Sequence, residues 1–312
     1  MKPEGPSESG VLLLDKPLGL SSNHALSRLK SLFSIKKMGH LGTLDPLATG
    51  MLVVAMGQAT KFSSYGLVAD KAYRFTLRLG EATDTLDSEG EVIERAGLPN
   101  LNQEIIVDVL NQFKGVSSQI PPIYSALKFE GKPLYAWVRQ GRAIPDDVLK
   151  SKVREISISK IQLLSWRPNE IECEVSCSKG TYIRSLACDI AHALGTVGHV
   201  VALRRTSVAA FQETHMVCLS ELEHASLSDR YARLLPMDSL VEHLPELSLK
   251  DSLLKKIHMG QTAPVTMADG CYRIYSESQA FHGLVHVSDG ICSAKRLIHS
   301  VFNSSNKDKY IE

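Results

Sequence analysis

The sequence predicts an α+β fold carrying a small β module at its end. Segments with two-residue alternation are mixed irregularly with segments of helical period, unlike the regular strand–helix alternation of a doubly wound sheet. After Leu249 the pattern changes to short apolar runs separated by Asp269-Gly270, His282-Gly283 and Asp289-Gly290, and Asp-Gly is a strong hairpin signal. A chain of 312 residues, 44% of them apolar, is long enough for one large domain with an appendage.

Val11 to Leu14 reads as a buried strand. Ser21 or Ser22 caps a helix whose apolar face is Ala25, Leu26, Leu29, Leu32 and Phe33. Met51 to Ala55 is a second buried strand and Thr60 to Leu67 a short helix. Ala72 to Leu79 alternates, with Tyr73, Phe75, Leu77 and Leu79 on one face. Leu101 to Phe113 is an amphipathic helix, and Leu134 to Gln140 a short helix in a basic loop region. Val153 to Leu164 reads as a strand pair or one bent strand, Ile171 to Ser176 as a strand, and Tyr182 to Leu194 as a helix. Pro245 marks the change to the β module, which runs from about 248 to 302. This gives a flexible N-terminus at 1–10, a main domain at 11–247, the module at 248–302 and a frayed tail at 303–312.

Composition excludes several classes. Net charge is only +1, but the charge is segregated. Lys16 to Ala69 holds six Lys or Arg against one acid, and Tyr124 to Lys160 is also basic. Acid collects in Glu81 to Glu94 and Glu213 to Glu246, a distribution that suits one anion-facing surface on a neutral protein. The six cysteines include no Cys-x-x-Cys pair. Cys173 and Cys177 share a strand face and read as core thiols of a reducing compartment. No metal is expected, since His24 and His40 lack partners at ligand spacing. With no signal peptide and no long apolar run, a cytoplasmic protein without a membrane span is expected.

The most informative stretch is Gly39 to Leu52. Asp45 is the only carboxylate between Lys16 and Ala69. A lone acid in a basic, glycine-rich segment is unlike ordinary surface, where both signs are interspersed. Pro46 fixes its own φ and pushes Asp45 toward extended geometry. Read alone, Asp-Pro is also a common turn in which the carboxylate caps its own backbone.

This stretch, together with Leu13-Leu14-Asp15-Lys16-Pro17, resembles the bacterial tRNA pseudouridine-55 synthases of the TruB type. Lys71 to Arg74 with Leu79 to Thr85, Gln119 to Lys128, and Ser178 to Leu186 match in family order, covering about residues 11 to 210. The resemblance implies the pseudouridine-synthase fold, with a mixed, mainly antiparallel central sheet and a PUA-like β module. It implies an isomerase that acts without cofactor on the T stem-loop of tRNA; separately, a monomer is expected, although the sequence itself does not give the oligomeric state. Asp45 would be the catalytic carboxylate and Arg184 its ion-pair partner, whose fork can hold a carboxylate in one orientation. Tyr73 would stack on the target uracil and accept the C5 proton; its alternative is a core tyrosine. Tyr182 would be a second active-site aromatic, or simple packing at a helix start. His40 would fill the space left by the flipped uridine, or make a turn hydrogen bond.

Lys16 and Lys61 are phosphate or structural contacts near the pocket. Tyr124, Lys128, Lys132, Tyr135, Arg139 and Arg142 interleave cations with aromatics, a pattern suited to folded RNA. Lys179 joins them as an RNA contact. Whether Asp45 attacks C1′ or takes a sugar proton is open in the sequence. So are a non-catalytic tRNA-folding role and action on another RNA stem-loop. An Asp-dependent glycosidic hydrolase usually wants a second carboxylate, which Lys16 to Ala69 does not supply.

Overall fold

Two strands explain how the sheet is buried. In a computed structural model describing residues 9–298, Gly10–Lys16 lies antiparallel to Ala48–Met56, with Leu13 opposite Val53. Both strands are apolar on both sides because both sheet faces are covered. Leu12, Leu14, Leu52 and Val54 belong to one continuous core that also takes in the apolar faces of helices Ser22–Phe33, Gln103–Gln112 and Ile183–Ala193. Val11, Leu13, Met51, Val53 and Ala55 face a second core with Phe62, Leu240, Val241 and Leu284. Residues 1–8 and 299–312 lie outside the described residues, as do the expected tail at 303–312 and most of the expected flexible N-terminus.

The principal sheet runs, edge to edge, through Val217–Cys218, Gly10–Lys16, Ala48–Met56, Gly198–Val208, Lys71–Leu79, Glu170–Cys177, Arg154–Arg167 and Gly115–Gln119. The pairings of Gly10–Lys16 with Val217–Cys218 and of Ala48–Met56 with Gly198–Val208 are parallel; the others along this path are antiparallel. The expected mixed, mainly antiparallel sheet is therefore present. Ser21 caps the first helix by accepting the His24 amide at 3.2 Å, and Asn102 caps Gln103–Gln112 through the Ile105 amide at 2.8 Å.

The ambiguous Val153–Leu164 stretch is one strand, Arg154–Arg167, with irregularities after Ile158 and Leu163 that break its alternation. Gly198–Val208, which lies in the middle of the sheet, was not foreseen. Arg204 and Arg205 interrupt its apolar pattern, and both charges are spent on internal contacts.

The C-terminal sheet contains Glu246–Ser248, Gly270–Tyr275, Phe281–Ser288, Ile291–Leu297 and Ala263–Pro264, with helix Asp251–His258 against it. Asp289 and Gly290 form the hairpin turn between two of these strands, both with positive φ, 51° and 72°. His282-Gly283 corrects the expectation of a turn, for it lies within Phe281–Ser288. A Cβ on Gly283 would meet the Arg296 carbonyl oxygen at 2.3 Å, so this glycine permits close strand approach. Tyr275 donates to Asp238 Oδ2 at 2.6 Å, Arg273 donates to the Leu244 carbonyl at 2.9 Å, and Phe62 stacks at a tilt on Phe281. The small sheet is thus docked through polar and apolar contacts.

Gly50 is the most constrained glycine near the site. Its φ is +92°, and a Cβ there would lie 2.3 Å from the Arg205 carbonyl oxygen in the neighbouring strand. Gly50→Ala is expected to cost about 3 kcal/mol, read from the urea midpoint, because backbone must move. A midpoint unchanged from wild type would contradict this packing.

Candidate active site

The loop carrying Asp45 is fixed from both ends before any substrate arrives. Ser22, at the start of the first helix, exchanges two bonds with Leu44: its hydroxyl accepts from the Leu44 amide and donates to the Leu44 carbonyl, both at 2.8 Å. The Gly19 amide donates to the Pro46 carbonyl at 2.8 Å, and the Ala48 amide closes a turn on the Asp45 carbonyl at 3.1 Å. Asp45-Pro46 therefore forms a turn, but one closed through the Asp45 carbonyl and not through its carboxylate. It leaves the Asp45 side chain 38% exposed and paired with a guanidinium.

Arg184 sits in the first turn of helix Ile183–Ala193, and its side chain is 5% exposed. Gln119 holds that helix start by accepting from the Tyr182 amide at 2.8 Å and donating to the Tyr182 carbonyl at 3.0 Å. The guanidinium uses all three nitrogens. Nε lies 3.0 Å from Asp45 Oδ2, Nη1 donates to the Thr85 carbonyl at 2.7 Å, and Nη2 donates to the Tyr124 carbonyl at 2.8 Å. Nη1 also lies 3.5 Å from Asp87 Oδ2.

Asp87 was missed; it brings a second carboxylate to Arg184, from outside the Lys16–Ala69 stretch. It belongs to the acidic Glu81–Glu94 stretch, which folds back to the site instead of segregating from it. Asp87 is 3% exposed; its Oδ1 accepts from the Thr85 hydroxyl at 2.6 Å and the Glu89 amide at 3.1 Å. Its position depends on the unforeseen Gly198–Val208 strand, whose Val200 exchanges backbone bonds with Leu86 and Ser88. The motif Asp84-Thr85-Leu86-Asp87 carried the signal; only the topology shows which acid turns inward.

These charges compete at Asp45. Burial raises its pKa, the Arg184 charge opposes that, and Asp87 then reinforces the rise while Lys16 opposes it. The result is a carboxylate poised above the ordinary aspartate range.

The other expected residues divide into groups. Tyr73 is 8% exposed on strand Lys71–Leu79, with its phenol pushed up by burial. Tyr182 caps the Arg184 helix, its ring 5.1 Å from the Arg154 guanidinium carbon. His40 is half-buried in Met38–His40, its Nδ1 has no hydrogen-bond partner, and burial followed by Arg205 lowers its pKa. Tyr124 donates to Asp84 Oδ2 at 3.0 Å. Lys128, Lys132, Arg139, Arg142 and Lys179 are exposed, with Arg139 over the Tyr135 ring and Arg142 over the Trp137 ring.

Two lysines take the structural one of their two expected roles. Lys16 is fully buried and donates to the carbonyls of Leu20 at 2.6 Å, Pro17 at 2.9 Å and Pro46 at 3.4 Å. Burial brings its pKa down to about 8. With its donors on the backbone, it braces the Asp45 loop instead of facing phosphate. Lys61 donates to Gln58 at 3.1 Å and to the Leu297 carbonyl at 2.7 Å, so it joins the C-terminal sheet to the main domain.

The profile of the TruB family pseudouridylate synthase N-terminal domain matches residues 30–183. Profiles of two C-terminal domains, of tRNA pseudouridylate synthase B and of pseudouridine synthase II TruB, match residues 184–242 and 245–298. The tRNA pseudouridine synthase B of Chromohalobacter salexigens is 44% identical over 301 residues, spanning 95% of this chain and 96% of that protein. This chain belongs to the TruB family of pseudouridylate synthases. A second TruB relative, from Chromobacterium violaceum, is 45% identical over 281 residues, 88% of this chain and 89% of its own. Among solved structures, the crystal structure of a Cbf5–Nop10–Gar1 complex contains a chain 25% identical, with a TM-score of 0.67 over 90% of this chain and 78% of that one. The archaeal box H/ACA Nop10–Cbf5 complex shares the fold, at 23% identity and a TM-score of 0.68, over 94% of this chain and 86% of that one. The TruB C-terminal match extends to residue 298, past the point where the sequence resemblance fades. Among the described residues no helix is long and apolar enough to cross a membrane.

Proposed function

We propose that this protein is a tRNA pseudouridine synthase that converts the T-loop uridine at position 55, with Asp45 as the catalytic carboxylate. The observation carrying this reading is the 3.0 Å contact between Arg184 and a half-exposed Asp45 on a braced loop. Relatives named tRNA pseudouridine synthase B support the choice of tRNA.

The reaction cleaves the C1′–N1 bond, turns the freed uracil, and joins C1′ to C5. Every atom is conserved, so its balance requires no redox partner. A uridine in a stacked loop must first be extruded. The bonds from Arg184 fix the carboxylate's position, and ionised Asp45 either attacks C1′ or removes a sugar proton. Tyr73 stacks on the uracil and accepts the C5 proton once C5 is joined, and Tyr182 lines the same site. His40, kept neutral by burial, stacks in the vacated place. Tyr124, Lys128, Lys132, Arg139, Arg142 and Lys179 grip the T arm through phosphate charge and stacking. We place this activity in the cytoplasm, carried out by a monomer.

The testing experiment is reaction with an unmodified T-arm hairpin, followed by mapping of the modified nucleotide. A single pseudouridine at the position-55 equivalent is expected. Modification elsewhere, or none, would overturn the assignment.

Lys16 provides a separate prediction. Lys16→Met should lower single-turnover rate at least about tenfold by loosening the loop, with RNA affinity and its salt slope unchanged. A salt slope smaller by about one would restore Lys16 as a phosphate contact.

A further inference from the structure

The least explained charge in the molecule is Arg205. It is 1% exposed and, among the described residues, forms no ion pair with a carboxylate. Its Nε donates to the Met51 carbonyl at 2.7 Å and an Nη to the Gly42 carbonyl at 3.0 Å, so peptide dipoles alone receive those two donors. Its neighbours include other basic groups. Arg205 is one of the charges that lower the pKa values of Lys71, His40 and Lys16, after burial in each case. A buried cation without a counter-ion is costly unless something nearby becomes negative.

One group beside it can do so. Arg205 is the direct antiparallel partner of Tyr73 across the strands Gly198–Val208 and Lys71–Leu79, which puts both side chains on one sheet face. The same guanidinium holds Gly42, three residues before Asp45, so it sits between the loop and the phenol. We propose that Arg205 is a positioning residue acting through Tyr73, the buried counter-charge that stabilises the phenolate when Tyr73 serves as base.

The proton balance is simple. Joining C1′ to C5 leaves a hydrogen on C5 and an unprotonated N1. The Tyr73 phenolate takes the C5 proton, the C–H electron pair restores the C5–C6 double bond, and solvent supplies a proton to N1. The phenol then returns its proton to solvent. The groups facing the phenol are Arg205 from one neighbouring strand, Cys177 from the other, and Asp45 from the loop. Burial raises the phenol's pKa first; Arg205 is the largest opposing influence, while Cys177 and Asp45 push upward. Asp45 is engaged by Arg184, which leaves Arg205 to the phenol.

This inference rests on the reading of Tyr73 as the proton acceptor. The test uses the full-length protein with 3,5-difluorotyrosine at position 73, whose phenol ionises well below tyrosine's. The fluorine signal is titrated in otherwise wild-type protein, in Arg205→Gln and in Arg205→Lys. The midpoint should rise by about one unit or more in Arg205→Gln and stay nearer wild type in Arg205→Lys, which keeps the charge. Single-turnover conversion of the T-arm hairpin by Arg205→Gln with ordinary Tyr73 should fall about a hundredfold at neutral pH, its alkaline rise displaced upward, with unchanged RNA affinity. Equal midpoints in all three proteins would overturn the pairing, as would an Arg205→Lys midpoint matching Arg205→Gln. The titration needs no RNA. A shifted midpoint in a protein that leaves the hairpin unmodified would refute the substrate assignment and still support the pairing.

Discussion

Asp45→Asn is expected to bind T-arm RNA with wild-type affinity and to form no pseudouridine. The amide keeps the size of the carboxylate and can still accept a bond from Arg184 Nε, so the loop braced by Ser22, Gly19 and Lys16 should hold its shape. RNA affinity comes from phosphate contacts and stacking on the exposed 128–142 segment, which the substitution does not touch. What is lost is the negative oxygen pair. Removing a group that acts directly on the reacting sugar lowers conversion by at least about ten-thousand-fold. Release of tritium from C5 under single-turnover conditions checks this, with filter binding as the affinity control. Measurable wild-type turnover would remove Asp45 from the chemistry.

Arg184→Lys should be the second most damaging substitution that leaves binding intact. Arg184 serves four partners from one planar fork: Asp45, Asp87 and the carbonyls of Thr85 and Tyr124. An ammonium is a point donor and cannot hold all four geometries. A lysine would satisfy one or two partners, leave buried oxygens without donors, and let Asp45 turn away from the sugar. Conversion should fall about a hundredfold to a thousandfold, since small misplacements of a reacting group are amplified in rate. RNA affinity should change less than threefold. Losses of equal size in rate and affinity would recast Arg184 as an anchoring cation. Asp87→Asn gives a smaller defect in the same direction if Asp87 steadies the guanidinium.

The pairing of Asp45 with Arg184 was legible only through the family resemblance that the Gly39–Leu52 and Ser178–Leu186 motifs carry. Its neighbours were harder to read. Asp87 lies in an acidic stretch that composition separates from the basic site, and only the central Gly198–Val208 strand draws it in. That strand was invisible for a related reason. Arg204 and Arg205 break its apolar pattern, yet Arg204 is neutralised by Asp15 and Glu213 across the sheet, and Arg205 is buried beside the site. For Lys16 the sequence leaves two roles open. A lysine in a basic stretch reads as a phosphate contact, but a buried ammonium braces backbone when three carbonyls converge on it. Strands covered on both faces, such as Ala48–Met56, were plain from their unbroken apolar runs. The alternating face of Lys71–Leu79 was equally plain.

The central claim is that Asp45 works as a carboxylate whose charge is held by Arg184 against burial. Carbon-13 NMR titration of the Asp45 carboxyl, in wild type and in Arg184→Gln, tests it most directly. The wild-type signal should titrate above the ordinary aspartate range, because burial outweighs the guanidinium. It should move further upward in Arg184→Gln, where burial and Asp87 act unopposed by that charge. A signal that titrates like a solvent-exposed aspartate and ignores the loss of Arg184 would contradict the account.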